Sequence, residues 1–383
     1  MYQAYKYRIY PTLEQQLALA KSFGFCRWFW NYSLSLCHET YKDTGKSLSR
    51  AAIQKMLPTL KKEHEWLRTD TYSQYLQVVA LNLSTAYKNF FERRAKLPKF
   101  KSKKGRQSIS YSQNVIFKDD YIKLPKIGLV YCRLHRNFVG EIKTLTISKN
   151  RDGKYFASVL VDNGKDISQK LTVGKVIEID LGITHFCLTS EGYKYVNPKH
   201  IAKHAINLKR KQQKLARKQK GSNNRNKARI KVAKVQGKIV RYRDDFLHKL
   251  SCKIVNENHR GAVPKNVSAT CITVENLVVK NMVKNHNLAK EISDCGWGMF
   301  TTMLSYKADR VGKIYIEVDR FFPSCKTCNV CLNQVGSLPL DVRKWTCENC
   351  QTTHDHDINA AINVKNVGEA FPKGSFADIG VRN

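Results

Sequence analysis

The chain has 383 residues, and 67 lysines and arginines against 31 aspartates and glutamates leave a formal charge of +36. An excess of that size calls for a polyanionic partner, while 42% hydrophobic and 10% aromatic residues exclude a disordered basic tail and leave room for two or three folded modules. No run approaches the roughly 20 apolar residues of a membrane span, and Lys6, Arg8, Glu14 and Lys21 interrupt any secretory signal core, so a cytoplasmic protein without a membrane partner is expected.

Residues 2 to 10 alternate as a strand up to Pro11, after which Thr12 caps a helical pattern that begins with Leu13, Glu14, Gln15 and Gln16. The spacing of Leu17, Leu19, Phe23, Trp28, Leu34, Ile53, Leu57, Leu60, Tyr75, Val79, Leu83, Tyr87 and Phe91 predicts several amphipathic helices up to about residue 95. Short β-rich runs follow at 108–111, 121–124, 128–131, 142–148 and, after the Asp152-Gly153 turn, 155–161. They predict a small, mostly antiparallel barrel or sheet, which the first strand can complete. Residues 176–181 read as a buried strand that opens a three-strand meander with 186–189 and 193–196. A long basic helical stretch, a strand at 269–274, a helix at 300–311, a strand at 314–318, a cysteine cluster and a last helix from about Ile358 complete an α/β unit.

Seven of the twelve cysteines are scattered, and five crowd between positions 325 and 350. Cys328-x2-Cys331 followed, after fifteen residues, by Cys347-x2-Cys350 has the spacing of a four-thiolate zinc ribbon; the register Cys325-x2-Cys328 also fits. With almost no apolar side chains beyond Leu338, Leu340, Val342 and Trp345, such a segment would draw much of its folding free energy from the metal.

Three acids stand at the ends of separate elements: Asp180 after Val176-Ile177-Glu178-Ile179, Glu275 after Ile272-Thr273-Val274, and Asp357 at the start of the last helix. A desolvated strand-end carboxylate is costly without a partner, and three converging ones suit one or two Mg²⁺ ions poised for phosphodiester hydrolysis. Asp319, Asp355 and Glu178 are further acids nearby, and Glu178 shares the face of Asp180 by the two-residue strand period.

From Lys209 to Arg243 about fifteen of thirty-five residues are basic and none is acidic, with a Gly221-Ser222-Asn223-Asn224 turn between; this is a basic helical hairpin suited to phosphates. Lys209, Arg210, Lys211, Lys214, Arg217, Lys218 and Arg225 are its candidate contacts. A second run, Lys96, Lys99, Lys101, Lys103, Lys104 and Arg106, carries Phe100 and leads into Ser108, Ser110, Tyr111 and Gln113, a mixture suited to backbone tracking and base stacking.

The sequence resembles the TnpB (OrfB) proteins of IS200/IS605-type insertion sequences, RNA-guided DNA nucleases related to the compact Cas12 effectors. The resemblance runs nearly end to end. It rests on Tyr5-Lys6-Tyr7-Arg8-Ile9-Tyr10-Pro11, Gly24-Phe25-Cys26-Arg27 with Asn31, Pro98-Lys99-Phe100-Lys101-Ser102, Ile179-Asp180-Leu181-Gly182-Ile183, Val274-Glu275-Asn276-Leu277, Gly296-Trp297-Gly298, the cysteine cluster and Asp355-His356-Asp357-Ile358-Asn359-Ala360-Ala361. It implies an α/β fold with an RNase H-like RuvC nuclease domain (173–320 and 352–383), a zinc-ribbon insertion (321–351), a β-barrel wedge domain (1–10 and 96–172) and a helical recognition lobe (11–95); from the residues themselves, Gly368, Pro372, Gly374 and Ser375 predict a flexible tail after Val367. It implies Asp180, Glu275 and Asp357 as ligands of Mg²⁺ or Mn²⁺, Asp355 as a spectator, and Cys328, Cys331, Cys347 and Cys350 as the Zn²⁺ ligands, with Cys325 an extra thiol. The glycine usual after each knuckle is Leu332 in one and Gln351 in the other, and His356 stands where arginine is usual.

The implied partners are a transposon-end-derived guide RNA, bound by a monomer in a 1:1 complex, and target double-stranded DNA next to a short motif read by protein. Candidate readers are Gln74, Gln77, Ser110, Tyr111 and Gln113. A nuclease-inactive RNA-guided repressor would normally lack one of the acids, and a conventional RNase H-like transposase would carry no RNA.

Overall fold

The computed structural model describes residues 1–166, 176–257, 271–318, 322–339, 342–356, 358–360, 362, 363 and 366. The chain divides after Asp166 into two compact units.

In the first unit β1 (Tyr2–Tyr10) is followed by five helices, α1 (Leu13–Thr44), α2 (Arg50–Lys55), α3 (Leu57–Glu63), α4 (Glu65–Thr69) and α5 (Ser73–Phe91). Six strands come next: β2 (Gln107–Tyr111), β3 (Ile116–Lys118), β4 (Tyr121–Leu124), β5 (Gly128–Arg133), β6 (Glu141–Lys149) and β7 (Tyr155–Asp162). All seven strands form one curled antiparallel sheet in the order β2-β6-β7-β1-β5-β4-β3. The first strand therefore lies in the middle of the sheet, paired to β7 and β5, and the helices are an insertion between it and the rest. Thr12 and Gln15 close a capping box at the start of α1, and Gly45 at φ +66° takes the left-handed conformation that ends it. Phe23, Phe29 and Leu34 of α1, Tyr75, Leu76 and Leu83 of α5, and Ile109, Ile122, Val130, Leu145 and Val159 of the sheet belong to one core.

The second unit is built on a five-stranded sheet, order β10-β9-β8-β11-β12, from β8 (Val176–Leu181), β9 (His185–Thr189), β10 (Lys194–Val196), β11 (Cys271–Glu275) and β12 (Ile314–Val318). The meander β8-β9-β10 is antiparallel, whereas β11 runs parallel to both β8 and β12. The crossovers are a long helical hairpin, α6 (His200–Ala216) with α7 (Asn223–Glu257), and the shorter α8 (Val279–Met282), α9 (Ala289–Cys295) and α10 (Trp297–Arg310). Ile177, Ile179, Leu181, Ile272 and Val274 point to one face, where Leu247, Leu250, Trp297, Phe300 and Leu304 cover them. Gly296, at φ +70°, joins α9 to α10 and faces Arg243 so closely that a Cβ would lie 3.2 Å from its Cδ, which accounts for glycine in Gly296-Trp297-Gly298.

After β12 come two cysteine knuckles, the hairpin of β13 (Lys344–Thr346) and β14 (Thr353–Asp355), and helical residues from His356. Among the described residues no helix is long and apolar enough to cross a membrane. The strand expected from Ala269 begins at Cys271, with 269 and 270 outside the described residues, and the helix expected at 300–311 begins three residues earlier.

Candidate metal centres and nucleic-acid surface

The side chains of β8, β11 and β12 that face away from the helical core fall into three rows set by the parallel registers. Val176, Cys271 and Ile314 lie abreast, then Glu178, Thr273 and Ile316. One more step of the same register sets Asp180 beside Glu275, which is paired to Val318. Neighbouring strands are about 4.8 Å apart, so the two strand-end residues stand side by side at the C-terminal edge of the sheet. Both are half-buried. Ser324 holds Glu275 in place, its Oγ donating to Oε1 at 3.0 Å.

Glu178 sits one pleat below them and is 1% exposed, with no hydrogen-bond partner for its Oε2 among the described residues. Burial pushes its carboxyl well above the usual carboxylate range, and the charges of Asp180 and Glu275 add to the shift. The oxygen donors and the orphaned buried oxygen suit a hard divalent cation in kind, while among the described residues the group gathered within ligating range is that of the four cysteines.

Asp357 lies outside the described residues, but the chain around it is firmly tied. Asp355 Oδ1 accepts the Ile358 amide, making it the N-cap of the last helix. Asn359 and Asn363, one turn apart and buried, both donate to the carbonyls of Ser324 and Thr327, and Asn359 Oδ1 accepts the Asn329 amide. Ser324 thus links Glu275 through its hydroxyl to the last helix through its carbonyl.

The four thiols Cys328, Cys331, Cys347 and Cys350 lie within 4.8 Å of one another, with Sγ···Sγ separations of 3.5 Å (Cys328–Cys350) and 3.6 Å (Cys331–Cys347). A tetrahedral zinc with Zn–S of about 2.3 Å requires about 3.8 Å, so the thiols fit that ion. Cys325 is not a member of this group. The knuckles are copies of each other: the Leu332 amide donates to Cys328 O and the Gln351 amide to Cys347 O, each at 2.9 Å, while the Cys328 and Cys347 amides donate to Asn333 O and Thr352 O. Leu332 and Gln351 stand at φ +60° and +58°, the left-handed conformation that glycine would take without strain. The turn is therefore made despite both substitutions.

The Asn349 side chain and the Asn333 backbone pull Cys331 down to about 6, while burial pushes Cys328 up to about 11. Buried His354 places Nε2 3.1 Å from Cys328 Sγ and packs on Trp345.

The candidate nucleic-acid residues divide by exposure. Lys99, Lys103, Lys104, Gln77 and Gln113 are exposed. The Lys99–Lys101 backbone is clamped to α1: Trp30 Nε1 donates to Lys99 O, and Asn31 exchanges two bonds with Lys101. The Lys101 ammonium lies 3.5 Å from the centre of the Trp30 ring. Ser110 pairs with Thr146 across the sheet, and Gln74 accepts from Ser112.

Tyr111 requires a correction, because it is fully buried, edge-on to Tyr75, with the two hydroxyls 3.2 Å apart. It belongs to the core and cannot reach a base edge. On the hairpin Lys209, Arg210, Lys214, Arg217 and Lys218 are exposed and Lys211 is half-buried. Arg225 instead donates to Leu215 O and Lys218 O and so caps the end of α6.

The sequence reading missed Ser324, Asn359, Asn363 and His354, and it weighed Glu178 as one acid among several. Only strand alternation signalled Glu178; the others act through contacts between distant segments.

The chain matches the OrfB family of IS605 type described as "Probable transposase" over residues 158–286, that family's "Helix-turn-helix domain" over 1–46, and the "Cas12f1-like, TNB domain" over 297–364. Over 1–46 the structure holds one strand and one continuous helix of 32 residues. The chain is 37% identical over 374 residues to the "Putative RNA-guided DNA endonuclease" of Streptomyces pristinaespiralis, covering 96% of this chain and 90% of that one. It is 28% identical over 388 residues to the "Putative RNA-guided DNA endonuclease InsQ" of Escherichia coli (strain K12), covering 96% and 92%. Its fold matches the protein in a cryo-electron-microscopy structure of a Cas12f1–sgRNA–target DNA complex with a TM-score of 0.57 at 13% identity, covering 96% of this chain and 99% of that one.

The fold is thus α/β and similar to that of the Cas12f1 protein, with a curled antiparallel sheet, a helical insertion and a four-cysteine cluster consistent with a zinc ribbon. The chain belongs to the TnpB (OrfB) family of RNA-guided nucleases found in IS200/IS605-type insertion sequences.

Proposed function

We propose that this protein is a divalent-metal-dependent, RNA-guided DNA endonuclease that cuts double-stranded DNA beside a short motif, directed by a transposon-end-derived RNA, and so supports maintenance of the transposon. The observation that carries this reading is the carboxylate row at the edge of the β8–β11 pair in a chain of this family. Asp180, Glu275 and Asp357 would hold two Mg²⁺ or Mn²⁺ ions, which when bound would activate water and stabilise the attacking and leaving oxygens of an in-line displacement. The chain supplies the geometry: the sheet fixes Asp180 and Glu275, and Ser324 orients Glu275. The exposed lysines and arginines of the hairpin and of residues 99–104 would neutralise phosphates of guide and target.

In this reading residues 1–10 and 96–172 form the wedge and 11–95 the recognition lobe, while 173–320 and 352–383 form the nuclease, with the zinc module at 321–351 between them. The protein works as a monomer with one RNA in the prokaryotic cytosol and nucleoid. The relatives named as RNA-guided DNA endonucleases support this activity over the transposase reading. Purifying the protein with its RNA and assaying plasmid cleavage tests it: Asp180→Ala abolishes cleavage while guide-dependent DNA binding survives. Cleavage by that variant, or a purified protein active without any RNA, overturns the proposal.

A further inference from the structure

We propose that Glu178 is a fourth carboxylate of the metal centre, facing the cation from one pleat beneath Asp180 and Glu275. The inference rests on the metal-centre reading above and adds to it a group that the three-acid pattern does not contain.

The argument begins with the strand. In β8 the two-residue period sends Glu178 and Asp180 to the same face, and the parallel register sets Glu275 beside Asp180 on that face. Successive residues on one face are about 6.6 Å apart along the strand. Glutamate carries its carboxylate one methylene further than aspartate and can cover part of that gap.

Among the described residues, the surroundings of Glu178 offer its Oε2 no hydrogen-bond partner. The residue is 1% exposed. Its neighbour abreast, Thr273, directs its hydroxyl to the backbone carbonyl of Ile177. Ser190 bonds only the backbone of Glu178, accepting from its amide through Oγ and donating its own amide to the carbonyl. Below lies the apolar row of Val176, Cys271 and Ile314, and Ile316 flanks Thr273 in the row of Glu178 itself, so neither row brings a charged partner. The next row on the same face holds Asp180 and Glu275, which repel an anion unless a cation lies among them. A divalent ion supplies the missing partner, and a carboxylate under the pair tightens the hold on that ion.

The rival account is a neutral acid kept protonated by its dry surroundings, which plays no part in metal binding. Glutamine is the discriminating substitution, since it matches a neutral glutamic acid in shape and lacks only the capacity to become an anion. Mn²⁺ binding to the RNA-free, zinc-loaded full chain is titrated by electron paramagnetic resonance in wild type, Asp180→Ala, Glu178→Gln and Glu178→Asp, with zinc content and unfolding midpoint as folding controls. The expected result is a site that Asp180→Ala removes, that Glu178→Gln weakens by about tenfold or more, and that Glu178→Asp weakens to a smaller degree. Folded Glu178→Gln binding Mn²⁺ within about twofold of wild type overturns this inference and leaves the three-acid centre standing. A wild type with no site sensitive to Asp180→Ala overturns the centre itself, and this inference with it.

Discussion

The zinc knuckles offer a test of backbone strain that can be worked from the structure. Leu332 and Gln351 hold φ values of +60° and +58° at equivalent points of the two turns, with their amides bonded to the first cysteine of each knuckle. A left-handed conformation costs an L-residue roughly 1–2 kcal/mol. Glycine removes that cost and gives up about 0.5–1 kcal/mol through the larger entropy of the unfolded chain. Leu332 is 67% exposed, so truncation loses little burial, and Gln351 loses only an exposed bond to Glu348 O.

The net gain is about 0.5–1 kcal/mol at each site. Because a structural zinc module folds as it binds metal, this appears as about 2- to 5-fold tighter zinc for Leu332→Gly or Gln351→Gly. The double variant gains about 5- to 30-fold if the two turns act independently. Competition with a chromogenic chelator on the full chain reads the effect. Equal or weaker zinc affinity in both single variants would show that the left-handed turns carry no strain and would refute the reasoning.

Cys347→Ser removes a fully buried thiol of the four-cysteine cluster; the protein is expected to lose zinc to a weak chelator and become protease-sensitive across residues 322–356, and retention of stoichiometric zinc with full protease resistance would contradict the four-thiolate site. Lys313 is fully buried, its Nζ donating to Val255 O near the end of α7, and burial pulls it from 10.5 down to about 8. Between those values the unfolded chain binds the proton and the folded one does not, so this group makes stability rise with pH. Relative to Lys313→Met, the wild type gains up to about 3 kcal/mol between pH 7 and 10.5, read from denaturant midpoints; a pH-independent difference between the two would refute the assignment.

Periodicity, cysteine spacing and family motifs made much of the molecule legible. The alternation of residues 2–10 and of 155–161 corresponds to β1 and β7, and the 176–181 run to β8, because each strand's apolar pattern is local and its period is short. The two knuckles are equally local, and their cysteines meet as the spacing requires. Short elements such as β3, β13 and β14, three residues each, carry too little pattern to be read.

The chemical meaning of individual side chains was another matter. Sequence alternation put Glu178 on the face of Asp180, but only the registers of β11 and β12 placed an apolar row beneath it and left its oxygen unpartnered. Tyr111 and Arg225 looked like surface contacts until contacts from Tyr75 and from the end of α6 claimed them. Sequence by itself determined which residue types occur at which spacing, and hence the elements and the family. Whether a charge is dry, which hydroxyl orients Glu275 and which cation is already occupied were decided by the tertiary structure, because solvation and hydrogen bonding depend on neighbours brought from up to a hundred residues away.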